Sequence, residues 1–213
     1  MPFRGACCVP VASNVRPPKL IAPMSPLHYW QYFAALETDL ANTCRFVEVC
    51  DENMGTYSVE YACLLFSAGA EIDVLSKVLA QEHSLPIAPR NIDGYRTALT
   101  GRFSELPFLK VVIPRYGREV SPWRDWANGV NPDWWRAYND VKHERNVNFK
   151  KASLSNALGA VAGVFVLVCY VCHKELRENR AAPWPSLLTL EPALNSRLRN
   201  DLRPGYVLPD LQA

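Results

Sequence analysis

The sequence predicts an all-α fold, a mainly antiparallel four-helix bundle with one irregular crossover between helices two and three and extended proline-rich ends. Three observations predict it. Apolar residues recur at helical spacing through two long stretches before residue 84. A third amphipathic segment opens near Asn131 with helix-start residues, and a fourth, Ala157–Cys172, runs 16 residues without a charge. Eleven of the 17 prolines fall within 1–26 and 183–209, so both ends are poor in regular structure. The chain therefore divides into an N-terminal arm over 1–26, a helical domain over 27–180 and a Pro-rich tail over 181–213. The two ends read as tails or wrapping arms.

Helix one is expected from about Ser25 to Glu52, with Phe33, Leu36, Leu40, Cys44 and Val47 at helical spacing. Gly55 marks a break. Helix two runs from about Thr56 to His83 on the stripe Tyr61, Leu64, Leu65, Ala68, Ile72, Leu75 and Leu79, with Asp73 and Lys77 pairing on its exposed side. These two form an antiparallel hairpin. Glu37, Glu48 and Glu71 lie on them, and the sequence does not say which faces the later helices.

Pro86 and Pro89 end that unit, and 85–131 is an irregular crossover. Ile92–Phe103 reads as a short helix. Phe108–Ile113 has strand-like content, but one strand builds no sheet, so it reads as an extended insertion over the bundle. The crossover holds seven arginines and lysines against four acids, seven minus four, an excess of +3. Arg118 and Arg124 belong to this local positive charge. The whole chain carries only +2, which does not by itself indicate a nucleic-acid binder.

Helix three starts at Asn131 as N-cap with Pro132 in the first helical position and Asp133 complementing the positive helix end. It runs to about Arg145. At about 100° per residue, Trp134, Tyr138 and Val141 form an apolar face, and Arg136, Asn139, Asp140 and His143 gather on the opposite one. Helix four spans about Ser153 to Arg177. Its uncharged run falls short of the roughly 20 residues of a membrane span, so it reads as a buried core helix, and Gly159 and Gly163 stand at a spacing that admits close helix packing.

The polar face of helix three has the groups for RNA cleavage without a metal. His143 can take or give a proton near neutral pH. Arg136 stays charged and holds phosphate with paired hydrogen bonds. Asn139 and Asp140 are placed to orient the phosphate or the imidazole. Lys142 and Arg145 are placed for flanking phosphates. One histidine is awkward for two proton transfers, and a symmetric homodimer supplies a second His143 and a second Arg136 across a two-fold axis. Trp123, Trp126, Trp134 and Trp135 crowd one short stretch. Trp134 reads as core, Trp123 and Trp126 are open, and Trp135 at the border of the motif face is the best base-stacking candidate.

Seven cysteines in irregular spacing and no apolar h-region in Met1–Pro26 point to a reducing cytoplasm. Cys169 and Cys172, followed by His173, form a C-x-x-C-H string inside an apolar helix, where buried thiols are expected rather than haem attachment. No second cysteine pair completes a zinc site. No phosphate-cradling glycine loop, nucleophile elbow or metal-spaced histidine pair is present, so no cofactor is expected.

On Arg136, six intervening residues and His143, together with two long helices, a crossover, a motif helix and an apolar last helix, the chain resembles the HEPN superfamily over roughly 28–177. The resemblance implies a small, often dimeric helical bundle. It also implies a metal-independent endoribonuclease with Arg136 and His143 in the site, and a toxin–antitoxin or phage-defence role with an antitoxin or defence-complex partner. Active members usually carry a polar residue directly after the arginine, where this chain has Ala137. The alternative is a non-catalytic RNA- or protein-binding subunit of a larger defence or signalling assembly. A simple solvated helix face is the bland reading of the same residues, and membrane association through Ala157–Cys172 the least favoured one.

Overall fold

The computed structural model describes residues 25–191, 195–196, 205–206 and 208–211. The expected N-terminal arm lies, up to residue 24, outside the described residues. The fold is mostly helical: α1 (Pro26–Thr43), α2 (Val59–Glu82), α3 (Ile92–Arg102), α4 (Asp133–Asn148), α5 (Leu154–Val171) and the short α6 (His173–Arg177). Among the described residues five short strands accompany them: β1 (Val111–Ile113), β2 (Arg118–Val120), β3 (Thr189–Leu190), β4 (Asn195–Ser196) and β5 (Gly205–Tyr206).

α5 is the centre, because its sequence leaves it no polar side to expose. α1, α2 and α4 all pack on it, with α2 making the longest contact. It is the one described helix long and apolar enough to cross a membrane, yet 89% of that span is buried inside the protein. Phe165 stacks on Phe33 of α1 at 4.8 Å between ring centres. Ser58 and Ser153 cap α2 and α5 by accepting from Tyr61 N and Asn156 N. Backbone bonds from Ser58 N to Ala152 O and from Leu154 N to Thr56 O pin these two helix starts side by side. The thiols of the C-x-x-C-H string are core: Cys169 and Cys172 are buried, burial pushes the Cys172 thiol up to about 12, and its Sγ donates to Pro26 O. Among the described residues no three metal-ligating side chains converge.

Several elements differ from the expectation. α1 stops at Thr43 instead of Glu52. Cys44, Val47 and Val49 remain packed on the core from a loop, so their apolar spacing continues after the helix has ended. The stretch Val111–Ile113 is no lone strand. It pairs antiparallel with β2 across Gly117, whose φ of 60° makes the turn, and with β3 on its other edge, giving the order β2-β1-β3. The bundle thus carries a small sheet that the sequence reading lacked. Helix four breaks at Cys172, with Leu176 of α6 still buried.

The C-terminal segment is a strap laid on its own domain. The Glu37 carboxylate, 3% exposed, accepts from the backbone N–H groups of Ser186, Leu187 and Leu188 at 2.9, 2.8 and 2.8 Å. Trp30 Nε1 donates to Pro183 O at 2.8 Å. Tyr170 donates its hydroxyl proton to Asp210, which also accepts from Glu105 N. The described part of 181–213 thus lies on α1, α5 and β1 of its own domain.

Candidate functional site

α4 is positioned by two close approaches. The Trp134 ring lies across Gly159 of α5, where an added Cβ would stand 2.8 Å from Cδ1. The Tyr138 ring lies on Gly69 of α2, where a Cβ would stand 2.6 Å from Cε2. Glycine at both positions lets the aromatic side of α4 sit directly on neighbouring helix backbone. The pair Gly159 and Gly163 thus receives indoles: Trp134 and Trp123 both reach Gly163, and Trp123 Nε1 donates to Gly163 O at 3.2 Å. Trp123 and Trp126 are buried and hold the crossover, which removes both from base stacking.

The start of α4 also differs. Pro132 occupies the cap position and no side chain caps the helix. Asn131 instead accepts from Arg96 at 2.6 Å and donates to Asp93 at 3.0 Å, tying α4 to α3. At the other end the helical path breaks at Glu144 (φ −138°, ψ 55°), directly after His143. The Asn148 side chain donates to the carbonyls of Asp140 and Glu144, inserting itself into the backbone ladder at the bend.

Trp134, Ala137, Tyr138 and Val141 are buried, so the polar stripe faces outward as expected. Arg136 is 58% exposed in its side chain and pairs with Asp133 one turn earlier. His143 is exposed and makes no hydrogen bond or ion pair among the described residues. It lines an open groove of about 830 Å³ between α2 and α4, together with Lys142, Arg145, Asn146, Cys63 and Phe66. Asp140, expected beside the imidazole, gives its carboxylate to Lys151 at 2.7 Å. The Asn139 amide nitrogen donates to Trp135 O at 3.0 Å.

A second groove, of about 690 Å³, lies between α2, α3 and the first half of α4. Trp135, Asn139 and Lys142 line it with Tyr138, Asp73, Tyr95 and Arg90. Lys142 lines both grooves and holds its ammonium 5.3 Å from the Tyr138 ring centre. Asp73 is internally satisfied by Tyr95 and Lys77. Burial pushes its carboxyl up, but those hydrogen bonds and the Lys77 and Lys142 charges outweigh it and hold it below the ordinary value. Burial and Asp73 push the Tyr95 phenol up.

The structure thus brings Trp135, Asn139, Lys142, His143 and Arg145 to two adjoining grooves, with Arg136 and Asp140 beside them on the stripe. It places Arg118 and Arg124 elsewhere. Arg118 donates to Val49 O and pairs with Asp51 at 2.8 Å, locking β2 to the α1–α2 connection. Arg124 lies 4.9 Å from the Phe108 ring centre. Sequence reasoning missed Arg90, Asp73 and Tyr95 as groove residues. In the sequence Asp73 looks like half of an i, i+4 pair with Lys77, and Arg90 sits in a proline-flanked loop that carries no periodic signal. No protein-family model, no curated protein and no solved structure matches this chain.

Proposed function

We propose that this protein is a metal-independent endoribonuclease of HEPN type that acts as an intracellular homodimer. The observation that carries the reading is the outward stripe of α4. An unpartnered imidazole stands seven residues from an exposed guanidinium, against a groove that adds Lys142 and Arg145. In the reaction, one His143 takes the proton of a ribose 2′-hydroxyl as its oxygen attacks the adjacent phosphorus. The bond to the 5′-oxygen breaks, and the partner's imidazolium protonates that oxygen. The products are a 2′,3′-cyclic phosphate and a 5′-hydroxyl. Arg136 stabilises the charge that develops on the phosphorane oxygens. Asn139 and Asp140 orient the stripe, the latter through its bond to Lys151. The resemblance to the superfamily adds a toxin or phage-defence role.

One observation favours the second reading, a non-catalytic RNA- or protein-binding subunit. The position after Arg136, usually polar in active members, is Ala137, and it is 4% exposed. A buried alanine offers the scissile phosphate nothing. The test is cleavage of a mixed RNA pool in EDTA by wild type, Arg136→Ala and His143→Ala. Cutting by wild type alone, with cyclic phosphate ends, supports the enzyme. A folded dimer that binds RNA without cutting it moves the assignment to the binding subunit, and undiminished cutting by a clean His143→Ala preparation refutes the mechanism.

A further inference from the structure

Resting on the RNA reading, we propose that the groove between α2, α3 and the first half of α4 seats one unpaired nucleotide of a single-stranded RNA. Its base stacks on Trp135, and its phosphate lies between Lys142 and Arg90. The groove volume, about 690 Å³, lies within the range of small-ligand sites. Trp135 is half-buried, with its ring fixed edge-on by Trp134 and tilted against Tyr138, so it is a wall held in place before any ligand arrives. Lys142 and Arg90 are exposed, and neither has an ion-pair partner among the described residues. The acid lining the groove, Asp73, pairs with Lys77, which offsets its charge, and it attracts Lys142 without a direct ion pair, so a phosphate competes with it for that ammonium. Asn139 uses its amide nitrogen on Trp135 O, which leaves its carbonyl oxygen to accept from a base.

An aromatic wall beside free cations is the arrangement that takes a base face and its phosphate together. Its place along the helix matters as much. Asn139 and His143 are one turn apart, about 6 Å along the axis. Lys142 lines both this groove and the His143 groove. A strand seated on Trp135 is therefore led along α4 toward the imidazole. The site selects unpaired RNA, since a base in a duplex cannot present its face to a side chain.

The experiment titrates a short fluorescein-labelled single-stranded RNA into His143→Ala protein, read by anisotropy, and repeats it with Trp135→Ala, Trp135→Phe and Arg90→Glu added. Trp135→Ala is expected to weaken binding roughly 5- to 100-fold, and Trp135→Phe to restore most of it. Arg90→Glu is expected to weaken binding and flatten its salt dependence by about one phosphate contact or more. Arg90 is on the surface, so that variant folds. Parent-like affinity in both Trp135→Ala and Arg90→Glu overturns the proposal, as does equal competition by polyglutamate and by unlabelled RNA. RNA bound through this groove but left uncut by wild type would keep the proposal and remove the ribonuclease. Cutting by wild type with unchanged kcat/KM in both groove variants would do the reverse.

Discussion

Replacing Glu37 by Gln removes one acceptor oxygen from a buried carboxylate that three backbone amides share. Oε1 serves Leu187 and Leu188, and Oε2 serves Ser186. If the Gln carbonyl takes the Oε1 position, its NH₂ confronts the Ser186 N–H donor to donor. An orphaned buried amide costs about 1–3 kcal/mol, and because Ser186 is exposed and its bond only part-buried the low end applies, about 1 kcal/mol. The other two bonds change from charge-assisted to neutral, a loss of about 1 kcal/mol each. The sum is about 3 kcal/mol. For a chain of this size each kcal/mol moves Tm by about 2–4 °C, so the variant should melt on the order of 10 °C lower. Circular dichroism reads the melting, and hydrogen exchange reads the strap. The amides of Ser186, Leu187 and Leu188 should exchange slowly in wild type and fast in Glu37→Gln. Melting within about 2 °C of wild type, with those amides still protected, would refute the reasoning.

Gly159→Ala should lose about 1–3 kcal/mol in denaturant titration, because its Cβ would meet the Trp134 ring at 2.8 Å, whereas Gly55→Ala, with no atom within 4 Å of its Cβ, should stay within about 0.5 kcal/mol. His143→Ala and Arg136→Ala should likewise leave stability within about 0.5 kcal/mol, since both side chains are exposed, so any loss of RNA cleavage reports chemistry rather than fold. Burial raises the Glu71 carboxyl from 4.5 to about 7. The folded protein then holds a proton that the unfolded chain has released, so stability should fall as pH rises between about 4.5 and 7, and Glu71→Gln should flatten that slope when Tm is measured across pH 4–8.

The long helices were legible because each spends its apolar residues on one stripe. α2 was expected at Thr56–His83 and spans Val59–Glu82. α5 was legible for the opposite reason, having no polar face at all. The sheet was not legible. β2 is three residues with two charges, β3 is two residues, and β3 comes from beyond residue 180, so no window of periodicity contains the pairing. The clamp on Glu37 was invisible because its partners are backbone amides, which carry no side-chain signature. On α4 the outward stripe was readable from helix geometry alone. What the sequence could not supply was competition for its groups: Lys151 takes Asp140, and Asn131, which looks like a cap, serves α3. The second groove needed three separate elements to converge, and no spacing along the chain encodes that.

The carboxylate on α1 and the amides that satisfy it are 149, 150 and 151 residues apart. At a synthesis rate of about 5–20 residues per second, Glu37 leaves the ribosome roughly 8–30 s before its partners exist. Throughout that interval an ionised side chain sits where the finished protein is dry, and the α1 surface around Trp30 lacks its cover. The nascent domain therefore cannot close this seam until residues 186–188 have been made. A product terminated near residue 180 would keep every long helix and still hold an open, charged seam, which marks it for proteolysis. In this chain the seat around Glu37 is finished only when residues 186–188 reach it.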